Sequence, residues 1–167
     1  MAETSEVVIV GGGAAGCSVA YYLSIAGIKA TVIEGEGIAT QASGFSAGGL
    51  NPLEGNNIPG ALGPLAIESH RMHLELWGHL KQITGIDYEG RIIPLLKVAF
   101  HEAEAEEMRH SLDIFSLANA DGFSARLLDR KEVLELEPCL SPDILCGLYA
   151  LGNAALDSYK YTLALAS

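Results

Sequence analysis

The sequence is poor in basic residues. Its 167 residues include 10 Lys and Arg against 21 Asp and Glu, a formal net charge of −11. Nucleic-acid partners need clustered Lys and Arg to neutralise phosphates, so this balance argues against RNA or DNA as a partner. It does not argue against an anionic small ligand, because a helix amino terminus binds phosphate through backbone N–H groups without basic side chains.

Cysteine is also scarce. Cys17, Cys139 and Cys146 form neither a CxxC pair nor an even framework. This usage argues against a disulfide scaffold and favours a reducing compartment, which we take to be the cytoplasm. Free cysteine is among the most buried residue types, so we expect buried free thiols.

Charge is absent between Val7 and Ile28, a stretch close to the roughly 20 residues that span a bilayer. The preceding residues lack the basic region of a signal peptide, and glycines at 11, 12, 13 and 16 interrupt a continuous helix. A strand, a glycine turn and a buried helix explain the same apolarity. We therefore predict a soluble protein without stable membrane insertion.

The sequence begins with a strand–turn–helix–strand pattern. Val7–Val10 is a β-branched run suited to a strand buried on both faces of a parallel sheet. Residues 14–26 have a helical apolar pattern, with Gly27 as the expected stop. A second β-branched strand, residues 30–33, ends at Glu34. The order predicts a βαβ unit.

The spacing Gly11-x-Gly13-x-x-Gly16 is the fingerprint of dinucleotide binding. Gly11 permits the tight turn, Gly13 lets the backbone approach a pyrophosphate, and Gly16 lets the helix pack close to the strand. Glu34 lies about 20 residues on, where a carboxylate accepts a ribose hydroxyl and repels the 2′-phosphate of NADP. A purely structural glycine turn is the alternative, which the ordered strand, helix and second strand disfavour.

Eleven of the sixteen residues at 35–50 are Gly, Ala, Ser or Thr, and the stretch lacks a helical apolar period. An NAD-binding domain usually continues with another helix and sheet strand at this point. Small residues in such density allow the backbone to contact a flat ligand. A flexible linker is the alternative, although linkers tend to be more polar.

Two runs, VVIVGGGAAGCSVAYYLSIAGIKATVIE and ASGFSAGGL, resemble the amino-terminal region of the D-amino-acid oxidase superfamily, especially its glycine oxidase and sarcosine oxidase branch. The likeness continues through KVAFHEAEAEEM, LLDRKEVLELEP and ALDSYKYTLALA. The resemblance implies FAD as the cofactor. With the fingerprint and the small-residue loop it predicts these cofactor-binding residues: Gly11, Gly13, Ala14, Ala15, Gly16, Glu34, Gly35, Ala42, Ser43, Ala47, Gly48 and Gly49.

Two positions depart from the family pattern. Gly49 stands where the family often has a larger apolar residue, which could alter the surroundings of the flavin. Ser158 stands where the family often has proline after an acidic residue.

The rest of the chain predicts alternating helices and strands. Residues 64–84 form an amphipathic helix with a stripe of Leu65, Met72, Leu76, Leu80 and Ile83. Its His70 and His73 are interpreted as surface or packing residues rather than metal ligands, since no carboxylate or Cys lies in ligand register.

Further along, residues 92–100 and 144–150 predict strands, and Pro94 places an edge or bulge in the first. Residues 102–117 predict an acidic, solvated helix. Asp129 with Glu132 predicts a capping box, and Asp157 predicts the cap of a final helix.

The predicted fold class is α/β: a Rossmann-like FAD-binding βαβ unit, followed by the start of an α+β substrate-binding region, with the fold incomplete. Residues 1–60 are assigned to the FAD-binding segment, 61–150 to the substrate side, and 151–167 to a helix returning to the FAD domain. Two parallel strands are too few for a doubly wound sheet. We therefore expect the amino-terminal portion of a longer enzyme.

The resemblance implies oxidation of the C–N bond of a small amino acid or amine, by hydride transfer to flavin. The alternatives are an NAD-linked dehydrogenase, or a non-catalytic FAD-binding module if the natural protein ends at Ser167. No catalytic residue is nominated, because the family's carboxylate-clamping residues lie beyond Ser167. Substrate identity, electron acceptor and oligomeric state stay open.

Overall fold

A computed structural model describes residues 4–52, 61–118 and 122–167 of the chain. Five helices and eight strands lie within these ranges. In chain order they are β1 (Val7–Val10), α1 (Ala14–Ile25), β2 (Ala30–Ile33), β3 (Gly49–Leu50), α2 (Gly63–Thr84), β4 (Arg91–Ile92), β5 (Leu95–Ala99), α3 (Glu102–Ala118), β6 (Ser124–Asp129), α4 (Arg130–Leu136), β7 (Cys146–Leu151), β8 (Ala154–Ala155) and α5 (Ser158–Ala166).

The chain divides into two compact units. The first unit consists of Met1–Gly49, His73–Gly90 and Ala155–Ser167, and the second consists of Leu50–Met72 and Arg91–Ala154. Each unit joins stretches that are far apart in the sequence. The division predicted above, at residues 60 and 150, stays a prediction, and the first of these boundaries adjoins residues 53–60, which lie outside the described part of the chain.

The first unit contains the predicted βαβ arrangement. Strands β1 and β2 pair in parallel, from Val7 opposite Ala30 to Val10 opposite Ile33. Helix α1 ends in a Schellman motif, in which Gly27 and Ile28 donate their N–H groups to carbonyl oxygens of the last turn. The predicted strands and the glycine stop are therefore confirmed.

The outward face of this two-stranded sheet is exposed. Val8, Val10 and Ile33 keep 58%, 85% and 55% of their surface accessible. Burial alternates along both strands, because α1 covers only the face that carries Ile9. The prediction that the first strand is buried on both faces is wrong for this chain.

The second unit is built on an antiparallel sheet with the order β5-β7-β6. Helix α3 covers one face, where Ala99, Met108 and Leu148 are buried. Helix α4 covers the other face through Val133, which packs with Leu128. The two faces alternate along each strand, as an antiparallel sheet between two helices requires. The predicted strand around Pro94 is broken there, into β4 and β5.

Two helix starts follow the predicted caps. Asp129 accepts the N–H of Glu132 at 2.9 Å, and the Glu132 carboxylate accepts the N–H of Asp129 at 3.0 Å. This is the reciprocal capping box. Asp157 accepts the N–H of Lys160 at 2.9 Å at the start of α5. Both cap predictions are confirmed.

Helix α2 buries less of its predicted stripe than expected. Leu76 and Leu80 are buried, but Leu65 and Ile83 are 66% and 57% exposed. Burial is concentrated at Leu76 and Leu80. The predicted buried stripe is therefore confirmed at these two residues and wrong at Leu65 and Ile83, near the two ends of the helix.

Two of the three α2 histidines, His70 and His73, pack against aromatic rings, which confirms the packing interpretation for this pair. His70 is buried with its ring centroid 4.9 Å from that of Phe123 in the second unit, and His73 lies 4.9 Å from Tyr161 in the first unit. Burial lowers the pKa of His70 because it disfavours the imidazolium, against the opposing bond to the Gly152 backbone.

The cysteines differ in their exposure. All three are free thiols, with Cys17 buried, Cys146 half-buried and Cys139 exposed. The expectation of buried thiols is therefore correct for Cys17 and wrong for Cys139.

The charge-free stretch from Val7 to Ile28 is divided between β1, the glycine turn and α1. Within residues 4–52, 61–118 and 122–167, no helix has both the length and the apolarity needed to cross a membrane.

Candidate cofactor-binding site

The turn between β1 and α1 brings the fingerprint glycines together. Gly11 has a φ of 102° and donates its N–H to the carbonyl oxygen of Ile33 at 2.8 Å. A side chain on Gly16 would overlap the carbonyl oxygen of Gly11, and it would lie 3.2 Å from the side chain of Ile9. The chain's own backbone therefore requires glycine at position 16, as close packing of helix on strand predicts.

Helix α1 presents an amino terminus without an acidic side chain. Gly13 is its N-cap residue and makes no side-chain cap, while Ala14 donates its N–H to the hydroxyl oxygen of Ser43 at 2.9 Å. Ala15 is exposed in the first turn. The N–H groups of a first turn and the positive end of the helix dipole attract anions. This end of α1 can accept a phosphate beside Ser43.

The carboxylate of Glu34 joins the end of β2 to the glycine turn. One oxygen accepts the N–H of Gly12 at 2.7 Å, and the other accepts the N–H of Glu36 at 2.9 Å. These bonds, with that from Gly12 the strongest, lower the pKa of Glu34 because they stabilise the charged form. The exposed carboxylate is ionised at neutral pH and retains lone pairs for a ligand hydroxyl.

Gly12 lies beside Glu34 in the candidate site, although the fingerprint leaves its position open. It is buried, and its carbonyl oxygen accepts the N–H of Ala39 at 3.0 Å. A Cβ at Gly12 would lie 2.6 Å from Ile38 and 3.1 Å from the side chain of Glu34. The fingerprint spacing does not predict this constraint, and the run of three consecutive glycines is the sequence signal for it.

Open space adjoins the two ends of this arrangement. Among the described residues, no atom beyond the glycine and its chain neighbours lies within 4 Å of the position that a Cβ would take at Gly11 or Gly35. A ligand can therefore approach the backbone at the glycine turn and beside Glu34.

The predicted cofactor-binding residues of the small-residue loop differ in their exposure to solvent. Ala42, Ala47 and Gly49 are exposed, Ser43 is half-buried and Gly48 is buried. Gly48 has a φ of 72°, and a side chain there would overlap the carbonyl oxygen of Leu156. The chain's own packing therefore requires glycine at position 48, whatever ligand lies nearby.

Backbone bonds hold this loop in the first unit. Leu156 donates its N–H to the carbonyl oxygen of Gly48 at 3.0 Å, and Gly44 donates to Gln41 at 2.9 Å. Such bonding differs from that of a flexible linker. The partner at Leu156 lies more than one hundred residues further along the chain, so no local signal could have identified it.

The first unit thus gathers the glycine turn, Ala14, Ser43 and Glu34 at one end of the parallel strands. The donors suit a phosphate group, and the carboxylate suits a sugar hydroxyl. This chemistry matches a dinucleotide.

Solved structures of flavoenzymes share this fold. Glycine oxidase from Geobacillus kaustophilus has a TM-score of 0.89 at 26% identity, over 97% of this chain and 43% of that chain. L-alpha-glycerophosphate oxidase from Mycoplasma pneumoniae, determined with FAD bound, has a TM-score of 0.85 at 28% identity, over 99% of this chain and 42% of that chain. The predicted α/β class is confirmed.

Sequence comparison gives the same relationship. Glycine oxidase of Bacillus licheniformis is 32% identical over 145 residues, which are 87% of this chain and 37% of that protein. The chain thus spans less than half the length of the relatives that it matches. The family described as FAD dependent oxidoreductase matches residues 6–167. FAD is confirmed as the cofactor of this family, and the chain belongs to the FAD dependent oxidoreductases.

Proposed function

We propose that this chain is the cofactor-binding amino-terminal part of an enzyme that oxidises the C–N bond of a small amino acid or amine. The ionised Glu34, beside an α1 amino terminus whose N-cap Gly13 supplies no side-chain cap, carries the cofactor part of this proposal. The relatives named glycine oxidase support the substrate class. The cysteine pattern supports a cytoplasmic location.

Each predicted site residue has a proposed role. The backbone of Ala14 and Ala15 binds the pyrophosphate at the start of α1, between Gly11, Gly13 and Gly16. Glu34 accepts a hydroxyl of the adenosine ribose beside Gly35. The remaining residues line the cofactor towards its flavin ring: Ala42, Ser43, Ala47, Gly48 and Gly49. When bound, FAD supplies a ring that accepts hydride from the α-carbon of the substrate.

The role of Glu34 can be tested directly. We expect Glu34→Ala to weaken FAD binding by about tenfold to a hundredfold, the usual effect of losing a hydrogen bond to a charged acceptor. Glu34→Gln retains one acceptor oxygen, so its dissociation constant for FAD should lie between those of the parent and Glu34→Ala. Titration of apoprotein with FAD, followed by flavin fluorescence, measures the dissociation constants.

Glu36→Ala is the matched control, because it removes the same charge two residues further on. The Glu36 side chain bonds to Gln41 rather than to the glycine turn. If Glu34→Ala and Glu36→Ala weaken FAD binding equally, general charge rather than a ribose contact accounts for the effect.

A second candidate reaction is oxidation of a C–O bond in a glycerol phosphate. The relative from Mycoplasma pneumoniae favours it, since that protein is named a glycerophosphate oxidase. The residues proposed to bind FAD do not separate the two reactions. A substrate screen does.

We also propose that residues 1–167 alone do not turn over any of these substrates. The chain covers 37% to 43% of the glycine oxidases above, and the exposed Val8, Val10 and Ile33 leave one sheet face available for further chain. The clamp for a substrate carboxylate is proposed to lie in that further sequence.

The deciding experiment compares residues 1–167 with the longest reading frame that carries them. The long form should purify yellow and release FAD on denaturation, as identified by chromatography. Oxygen uptake and an artificial acceptor should report turnover with glycine, sarcosine, a D-amino acid or glycerol 3-phosphate. Release of FMN or NAD would contradict the cofactor assignment, and turnover by residues 1–167 would contradict the proposed inactivity. An inactive long form that binds FAD would favour the non-catalytic module.

A further inference from the structure

The first residue of helix α5 and the segment just before the helix are bonded to the small-residue loop at two carbonyl groups. The hydroxyl of Ser158 donates to the carbonyl oxygen of Ser46 at 2.9 Å. The N–H of Leu156 donates to the carbonyl oxygen of Gly48 at 3.0 Å. The two bonds fix alternate peptide groups of the loop, on either side of Ala47.

The backbone at Gly48, between the two bonded carbonyl groups, is restricted as well. Gly48 has a φ of 72° and donates its N–H to the hydroxyl oxygen of Ser46 at 3.2 Å. The closeness of Gly48 to the carbonyl oxygen of Leu156 leaves no room for a side chain at that position. The carbonyl groups of Ser46 and Gly48 are thus bonded to Ser158 and Leu156, while Ala47 and Gly49 beside them are exposed.

The start of α5 is itself firmly anchored within the first unit. Asp157 donates its N–H to the carbonyl oxygen of Tyr88 at 2.8 Å, and its side chain caps the helix at Lys160. In the following turns of α5, Tyr161 and Leu165 are buried. The residues that bond the loop are therefore themselves held by backbone bonds, a side-chain cap and burial, which is what a positioning element requires.

The hydroxyl of Ser158 is not needed to begin the helix. Asp157 already supplies the cap, and Ser158 is the first helical residue. The N–H at that position has no partner within an α-helix, so even proline is accepted there. The side chain is thus free to bond the loop, and its contribution can be separated from helix formation.

We propose that Ser158 is a positioning residue for the small-residue loop: its hydroxyl fixes the carbonyl group of Ser46 and thereby the backbone of residues 47–49. That these residues face the cofactor rests on the proposed function, whereas the bond between Ser158 and the loop does not.

Three substitutions in the longest reading frame test this role. Ser158→Ala removes the hydroxyl, Ser158→Pro removes it while favouring the first helical turn, and Ser158→Thr retains it. Hydrogen exchange of the apoprotein should show about two- to tenfold faster exchange of the Gly48 and Leu156 amides in the alanine and proline variants. The threonine variant should resemble the parent.

Titration with FAD gives the second measurement. The alanine and proline variants should bind FAD about two- to tenfold more weakly, and the threonine variant should restore binding. The thermal midpoint of the proline variant should equal or exceed that of the alanine variant, because proline suits the first helical position. If Ser158 acted only through helix stability, FAD affinity across the three variants would instead follow their thermal midpoints.

Ser24→Ala is the control, since the Ser24 hydroxyl also donates to a backbone carbonyl but does so within α1. It should change neither loop exchange nor FAD affinity. Unchanged exchange of Gly48 and Leu156 in Ser158→Ala would overturn the bond to the loop. Faster exchange with unchanged FAD affinity would overturn the positioning role. A parent protein that does not bind FAD would overturn the proposed function, while the exchange measurement would still decide whether Ser158 holds the loop.

Discussion

Gly13→Val is expected to give a folded protein that purifies without flavin. Gly13 has an extended backbone, with φ of −82° and ψ of −179°, which valine adopts without strain. A Cβ at Gly13 would lie 3.0 Å from the hydroxyl oxygen of Ser43, a side-chain atom that can move. The branched methyl groups would occupy the approach to the α1 amino terminus, where the pyrophosphate is proposed to bind.

We expect the loss of FAD affinity to be on the order of a hundredfold, the effect of inserting extra carbon atoms into a close contact. Absorbance at visible wavelengths measures flavin occupancy, and circular dichroism with thermal melting measures folding. Gly78→Val is the control, because in the described part of the chain nothing beyond the adjoining α2 backbone lies within 4 Å of a Cβ built at that position. Full flavin occupancy in Gly13→Val would show that the fingerprint does not contact the cofactor.

Gly16→Ala is expected to destabilise the fold itself. Its added Cβ would overlap the carbonyl oxygen of Gly11, a backbone atom that moves only if the turn or α1 shifts. The shift would separate α1 from Ile9 and disturb the bond from Gly11 to Ile33. Forced overpacking of this kind costs about 1–3 kcal/mol, and overlap with backbone places the expected loss towards the upper end.

Urea unfolding of the apoprotein measures this loss, independently of cofactor. Gly78→Ala provides a control of opposite sign, since replacing an unobstructed helical glycine stabilises a helix by about 0.5–1 kcal/mol. An unfolding free energy in Gly16→Ala equal to that of the parent would contradict the close packing of α1 on β1.

The two substitutions separate two reasons for glycine in one motif. Position 16 is restricted by the chain's own carbonyl group, and position 13 by the side chain of Ser43 and the proposed ligand. Gly16→Ala should therefore lower stability with or without FAD, whereas Gly13→Val should affect the bound form above all.

The start of the fold could be predicted from the sequence because its signals are local. The β-branched runs, the glycine spacing and the stop at Gly27 define β1, α1 and β2 within about thirty residues. Asp129 and Asp157 likewise cap helices through bonds that reach only three residues along the chain. Interactions of this range depend on neighbouring residues and little on the remainder of the molecule.

Other parts of the fold could not be predicted in this way. The β-branched residues of β1 are equally compatible with burial on one face or two, and only packing leaves Val8 and Val10 exposed. Strand β6 was missed, because its short alternation of Ala125 and Leu127 gains meaning only when paired with β7. Residue pattern gives the period of an element, while burial depends on what packs against it.

The sequence by itself determined the chemistry of the site: a glycine turn, a helix amino terminus and a carboxylate at the end of the second strand. The tertiary structure decided what holds those groups in place. It bonds Glu34 to Gly12, and it brings Leu156 and Ser158 against the loop at residues 46–48. The physical reason is range: fingerprint spacing is a property of consecutive residues, whereas a hydrogen bond between residues 112 apart exists only after the chain has folded.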